Sequence, residues 1–175
     1  VKDKDVDTVV GVDLGVNTDA VCSAIRHDGT VTGETFIDSP VEKDRMDGLL
    51  NTVRKAQQHG SRKNSRLWRF INNYNTAIAK KTASAIVSFA AESHAKVIVF
   101  EYLHMHGKRR GSKRQRLSLW RKREIQLRTE ALASRLGIRV SYVCAVNTSR
   151  LAYDGSGMVR RGTGAGFKNQ KLCIF

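Results

Sequence analysis

Two short apolar runs in this chain each end on an acid. Val9-Val10-Gly11-Val12 leads into Asp13, and Val97-Ile98-Val99-Phe100 leads into Glu101. β-branched runs of this length read as strands buried on both faces, giving strand one at residues 8–14 and strand four from Lys96 to Glu101. Between them, Asp19 to Arg26 reads as strand two and Val31 to Ile37 as strand three. His27-Asp28-Gly29-Thr30 joins these two as a tight turn, because Asp-Gly supplies the positive φ a hairpin needs. Pro40 opens a polar helix running to about His59. From Ser61 to His94, Leu67, Ile71, Tyr74, Ile78, Thr82, Ala85 and Phe89 recur at spacings of three and four, which is one face of an α-helix. Ser61 is its expected N-cap. A further helix is expected from about Leu117 to Leu136, with Gly137 just past its end. Strand five follows from Ile138 to Ala145. From Asn147 onward glycine dominates.

Three meandering strands and then helix, strand, helix, strand define an α/β chain. Crossovers through helices make strands four and five parallel to strand one. The expected architecture is a mixed five-stranded sheet with strand one central, strands one to three antiparallel, and helices alongside. Asp13 and Glu101 would then end neighbouring strands. The expected division is residues 1–146 as the α/β domain and 147–175 as a glycine-rich appendage.

Charge narrows the class of partner. The chain has 31 Lys and Arg against 16 Asp and Glu, a formal net charge of +15. That imbalance points to a polyanion, with nucleic acid first. No stretch approaches the ~18 apolar residues of a membrane span. The N-terminal Val1-Lys2-Asp3-Lys4-Asp5 has no signal-peptide character. Cys22, Cys144 and Cys173 are scattered and odd in number, which fits a reducing compartment and no disulfide framework. The apolar ending Leu172-Cys173-Ile174-Phe175 leads to the expectation that the chain is part of a longer polypeptide.

The positive charge is concentrated. Lys108, Arg109, Arg110, Lys113, Arg114, Arg116, Arg121, Lys122, Arg123 and Arg128 fall in one stretch that Glu124 alone opposes. Local pairs cannot offset such repulsion, so phosphate binding is the better account. Arg62, Lys63, Arg66 and Arg69 form a second cluster, interrupted by Trp68, which could stack on a base or pack inward. Trp120 is expected to anchor its helix in the core with Leu117, Leu127 and Leu132. A charge at the end of a buried strand is costly unless paired or bound to metal. Asp13 and Glu101 are therefore candidate ligands of shared divalent cations, the usual apparatus of phosphodiester cleavage. The plainer role for Asp13 is capping the turn that follows. Gly11 and Gly15 would permit close approach of backbone or phosphate. Asn17 and Thr18 could contact phosphate or simply form a turn, and Asp19 reads as a turn or strand-edge residue. His104 and His106 lack a third ligand and read at most as phosphate contacts.

Gly-Val-Asp-Leu-Gly-Val-Asn at 11–17 and Val-Phe-Glu-Tyr-Leu at 99–103 resemble the RuvC-type nuclease domain of the RNase H-like superfamily. The likeness is strongest to TnpB-type proteins of insertion sequences, relatives of type V CRISPR effectors. Asn72-Asn73, Leu119-Trp120 and Asn147-Thr148-Ser149 add to it, and it covers roughly residues 8–175. The resemblance implies Asp13 and Glu101 as catalytic metal ligands, Mg²⁺ or Mn²⁺ as cofactor, and hydrolysis of a DNA strand selected by a guide RNA. It also implies a cytoplasmic, nucleoid-associated prokaryotic protein. Two departures matter. Where the family carries Cys-x-x-Cys of a zinc ribbon, this chain has Ala152 and Gly155, so no zinc is expected. The family's third acid lies beyond that ribbon, and Asp154 is a poor substitute in its turn-like setting. A non-cleaving nucleic-acid-binding module is the alternative. An actin-like kinase would need a second Asp-Gly phosphate loop around mid-chain, where none is present.

Overall fold

The structure, a computed structural model, describes residues 7–102 and 119–144. Among them are β1 Thr8–Asp13, β2 Ala20–Arg26, β3 Val31–Ile37, α1 Pro40–Gln58, α2 Ser65–Glu92, β4 Val97–Tyr102, α3 Lys122–Arg135 and β5 Arg139–Cys144. The sheet order is β3-β2-β1-β4-β5, with β1 central. β1 and β2 are antiparallel from Thr8↔Arg26 to Asp13↔Val21, and β2 and β3 continue the meander. β1 and β4 are parallel in the register Val9↔Val97 through Val12↔Phe100. β5 is also parallel to β1, and the Arg139 amide donates to the Lys96 carbonyl at 2.9 Å. This is the mixed α/β sheet expected from the pattern.

The described residues fall into two compact units. The first holds residues 7–100 and 119–141, and the second holds 101–102 and 142–144. In the second, the Tyr102 and Tyr142 rings meet edge to face, 6.4 Å between centroids. The boundary expected at residues 146/147 lies outside the described residues.

In the first unit α2 lies against β1, β2 and β3, and α1 and α3 pack on α2. Val10, Val12, Ala24, Ile98 and Phe100 are buried, as are Ile71, Ala79, Ala83, Ile86 and Ala90 of α2. Alternation along β1 buries Val10 and Val12 but leaves Val9 and Gly11 half-buried and Asp13 exposed. The expectation of burial on both faces is corrected for β1, whereas in β4 Val97, Ile98 and Phe100 are buried and Val99 is half-buried. Period-2 alternation buries one set of residues and leaves the other partly open.

The helix ends differ from expectation in informative ways. α2 starts at Ser65 with Asn64 as N-cap, not Ser61, whose hydroxyl instead reaches Asn64 Oδ1 at 3.2 Å. Gly60, at φ 85°, has already broken the chain direction. α3 begins at Lys122, leaving Trp120 and Arg121 before it. Gly137, at φ 71°, stops α3 as expected. The Asp28-Gly29 turn is also as expected. Gly29 has φ 84°, and the Thr30 amide donates to Asp28 Oδ1 at 2.9 Å.

Candidate nucleic-acid and metal site

The segment after β1 is held by sterics and by one buried charge network. A Cβ placed on Gly15 would sit 2.7 Å from the Thr18 carbonyl oxygen, so this turn closes only over glycine. Gly11 is different, because a Cβ there would meet nothing nearer than 4.0 Å. The close approach expected at both glycines is thus real at Gly15 alone.

Asp19 lies in the bend directly before β2, as expected of a turn or strand-edge residue, and is buried at 5% exposure. Lys43 Nζ, from the first turns of α1, lies 2.9 Å from Asp19 Oδ1. The same ammonium donates to the Asp38 carboxylate and to the Asn17 carbonyl. Burial pulls the Lys43 pKa down. The hydrogen bonds to Asp19 and Asp38 outweigh it and leave the pKa above its usual 10.5. The bond from Lys43 holds the Asp38 carboxyl below the usual carboxylate range. Asp19 Oδ2 has no partner among the described residues. Nothing local in the sequence joins positions 19, 38 and 43, so only the fold reveals this clamp. A pocket of about 260 Å³ opens beside it, walled by Asn17, Asp19, Lys43, Met46, Asn75 and Trp120 among others.

Asp13 is exposed and Glu101 is half-buried. The cost of a buried strand-end charge, which motivated their selection, does not apply to Asp13 in this fold. Each stands one residue beyond a member of the buried register pair Val12 and Phe100. Neither carboxylate has an ion pair or side-chain hydrogen bond among the described residues. No group of three or more His, Cys, Asp or Glu positioned to hold a metal occurs among the described residues.

The basic stretch divides. Lys108 through Arg116 lie outside the described residues, as do His104, His106, Thr148, Ser149, Ala152, Asp154, Gly155 and Cys173. Arg121 is tied to Glu124 at 2.7 Å and to Asn72 Oδ1 at 3.1 Å. Arg128 places two nitrogens on Glu124 Oε1, at 2.8 and 3.0 Å. Burial raises the Glu124 pKa, but the bonds from Arg121 and Arg128 outweigh it and set the net value below normal. Two of the ten expected phosphate-binding cations are therefore already engaged by Glu124. Lys122 lies 6.0 Å from the Trp120 ring centroid. Trp120 is half-buried with its indole N–H unpartnered, and Leu127 is 48% exposed, so the expected Trp120–Leu127 core does not form.

In the second cluster Arg62, Lys63, Arg66 and Arg69 are all exposed. Trp68 packs on the Leu50, Val53 and Ile71 cluster, which removes it as a stacking surface. Phe70 remains 39% exposed, with the Arg66 guanidinium 6.0 Å above its ring. Sequence reading passed over Phe70, though its i+4 spacing from Arg66 was visible.

The sheet order β3-β2-β1-β4-β5, with helices packed alongside, is the mixed five-stranded α/β fold expected from the sequence. No family model matches the chain. It is similar to a TnpB-like protein of Aquifex aeolicus (strain VF5), 29% identical over 186 residues, which cover 93% of this chain. The chain spans 61% of that relative's length. It shares its fold with the Cas12f1–sgRNA–target DNA complex, at TM-score 0.66 and 19% identity over 90% of this chain and 40% of that one. It shares it also with a CRISPR–Cas12f ternary complex, at TM-score 0.69 and 16% identity over 86% of this chain and 31% of that one. The resemblance to TnpB-type proteins and type V effectors, drawn from the motifs, is met by these relatives. No helix among the described residues is long and apolar enough to cross a membrane.

Proposed function

We propose that this chain supplies a divalent-metal nuclease centre to a longer protein of the TnpB and type V kind. Asp13 and Glu101 would be two of its carboxylate ligands, holding Mg²⁺ or Mn²⁺. The supporting observation is the parallel register Val12↔Phe100. Asp13 and Glu101 are the residues that follow the two members of that pair in sequence. Both are hard oxygen donors suited to such cations. Neither is engaged by a cation among the described residues, so binding metal displaces no ion pair. A third ligand would come from elsewhere in the longer protein.

When bound, such ions lower the pKa of an attacking water and stabilise the leaving oxygen. The chain's own residues do the positioning. The Gly15 turn and the Lys43 clamp fix the segment that follows Asp13. The basic residues between Lys108 and Arg123 would hold the phosphates of a DNA strand. One of the Cas12f complexes that share this fold holds an sgRNA and target DNA, and a guide RNA that selects the DNA strand is the corresponding proposal here.

The test is cleavage of target DNA by the full-length protein with its guide RNA in Mg²⁺. Asp13→Ala and Glu101→Gln should each abolish cleavage while leaving nucleic-acid binding in place. Cleavage that survives both substitutions rejects the assignment. A wild-type protein that binds DNA and does not cut it, in Mg²⁺ or Mn²⁺, is a binding module instead. This 175-residue chain alone should cleave weakly or not at all.

A further inference from the structure

On the outer side of the α1–α2 hairpin, Arg45, Gly48 and Leu49 of α1 face Phe70 and Tyr74 of α2 across a groove of about 430 Å³. The spacings place 45, 48 and 49 on one stripe of α1, and 66, 70 and 74 on one stripe of α2. Three features of this groove have no internal explanation. Phe70 is an exposed aromatic with the Arg66 guanidinium over its ring, 6.0 Å from the centroid. Gly48 lies in the middle of α1, where glycine is costly relative to alanine. Yet a Cβ built on it meets nothing within 4 Å, so no close packing within the described protein requires a glycine there. Third, α2 has no acid in its first turn, although a helix N-terminus favours negative charge and Arg62, Lys63, Arg66 and Arg69 crowd it.

We infer that this groove is a docking site for single-stranded RNA, taking one unpaired base flat against Phe70 and over Gly48. Base stacking on an exposed aromatic, flanked by guanidinium groups that take the adjoining phosphates, is how single strands are held without sequence choice. Glycine at 48 leaves room for the base edge over the α1 backbone. An acid of α1 does border the groove: Asp44 is exposed and stands four residues before Gly48, on the same stripe. Arg45, Arg66 and Arg69 outnumber it there. Asp47 lines the pocket beside Lys43, and Arg45 is among the cations that lower the Glu42 pKa. Tyr74 carries the only hydroxyl in the groove lining, and its hydroxyl has no partner among the described residues. A ribose 2′-OH is the group it would meet, which favours RNA over DNA. The site is independent of Asp13 and Glu101, and it holds whether or not the protein cleaves.

The test is fluorescence anisotropy of a labelled U-rich RNA decamer against the full chain, beside the same sequence as DNA and as duplex RNA. Working at raised salt weakens the phosphate contacts of other basic segments and leaves stacking. Phe70→Leu keeps apolar volume and removes the π face. Gly48→Leu fills the groove from the other side. Each should weaken the single-stranded RNA about tenfold, within the range that loss of one stacked base gives, with the melting temperature unchanged or raised. Tyr74→Phe should narrow the preference for RNA over DNA. Unchanged RNA affinity in both Phe70→Leu and Gly48→Leu overturns the site. Wild-type affinity equal for RNA and DNA overturns the RNA assignment.

Discussion

Lys43 Nζ lies 2.9 Å from Asp19 Oδ1, and the Asp19 side chain is only 6% exposed. One ammonium from α1 thus neutralises a buried carboxylate at the start of β2 and also ties down Asp38. Removing it would leave Asp19 charged, buried and unpaired. Lys43→Met should therefore destabilise the chain by about 3–5 kcal/mol, the usual cost of breaking a buried pair from one side. Urea unfolding measures this directly, and a loss under 1 kcal/mol would mean that water already reaches Asp19.

The same network sets a pH signature. The Lys43 pKa is raised above its unfolded value of 10.5, so its contribution is complete below that pH and lost as pH climbs through the folded value. The Asp38 and Glu124 pKa values are lowered below 3.8 and 4.5, so theirs is present above those values and lost on acidification through the folded ones. Stability should be flat across neutral pH and fall at both extremes. In Lys43→Met the alkaline decline should shrink, as read from thermal melts between pH 9 and 11.

Two glycines should respond in opposite directions to alanine. Gly15→Ala places a methyl 2.7 Å from a backbone carbonyl, so the turn must shift. A loss of about 1–3 kcal/mol is expected, as for strained backbone. Gly48→Ala meets open space inside a helix and should gain up to about 1 kcal/mol. Parallel chemical denaturation of the two variants settles both.

Glu124 restrains two arginines that could otherwise reach phosphate. Glu124→Gln should free Arg121 and Arg128 and tighten nucleic-acid binding. If both then touch phosphate, the log–log salt slope should steepen by about 1.4–1.8. An unchanged slope would show that this face of α3 is not used.

Burial pushes the Cys22 thiol up to about 12, whereas Cys144 is exposed. In a Cys173→Ser background, one thiol should react with a thiol reagent in the native chain and two after unfolding. Fast labelling of Cys22 would mean that β2 opens readily.

Period and turn chemistry made most of the fold legible. Each strand pattern matched a strand within a residue or two. Asp28-Gly29 set its hairpin because only the local backbone was at stake. Partnering across the sheet was less visible. The apolar run leading to Asp13 looked fully buried, as the run leading to Glu101 nearly is, since composition does not say which strand a helix covers. Asp19 does sit in the turn before β2, as read, but its burial and pairing were hidden for a related reason. Its partner Lys43 is brought to it by the return of β3 and the start of α1, and no periodic signal reports that. Trp68 and Phe70 show the same limit at one helix face, where two residues of rotation decide between core and surface.

The central position of β1 also has a kinetic consequence. Its partnership with β2 is local and can form as soon as the hairpin exists. Its partnership with β4 must wait until α1 and α2 have been laid down between them. Contacts so distant in sequence are slow to close. During synthesis the β1–β3 meander therefore emerges with one open edge along β1, and β4 arrives as the strand that seals it. Folding intermediates should be captured at that edge, and a chaperone or a second nascent chain would meet the protein there first.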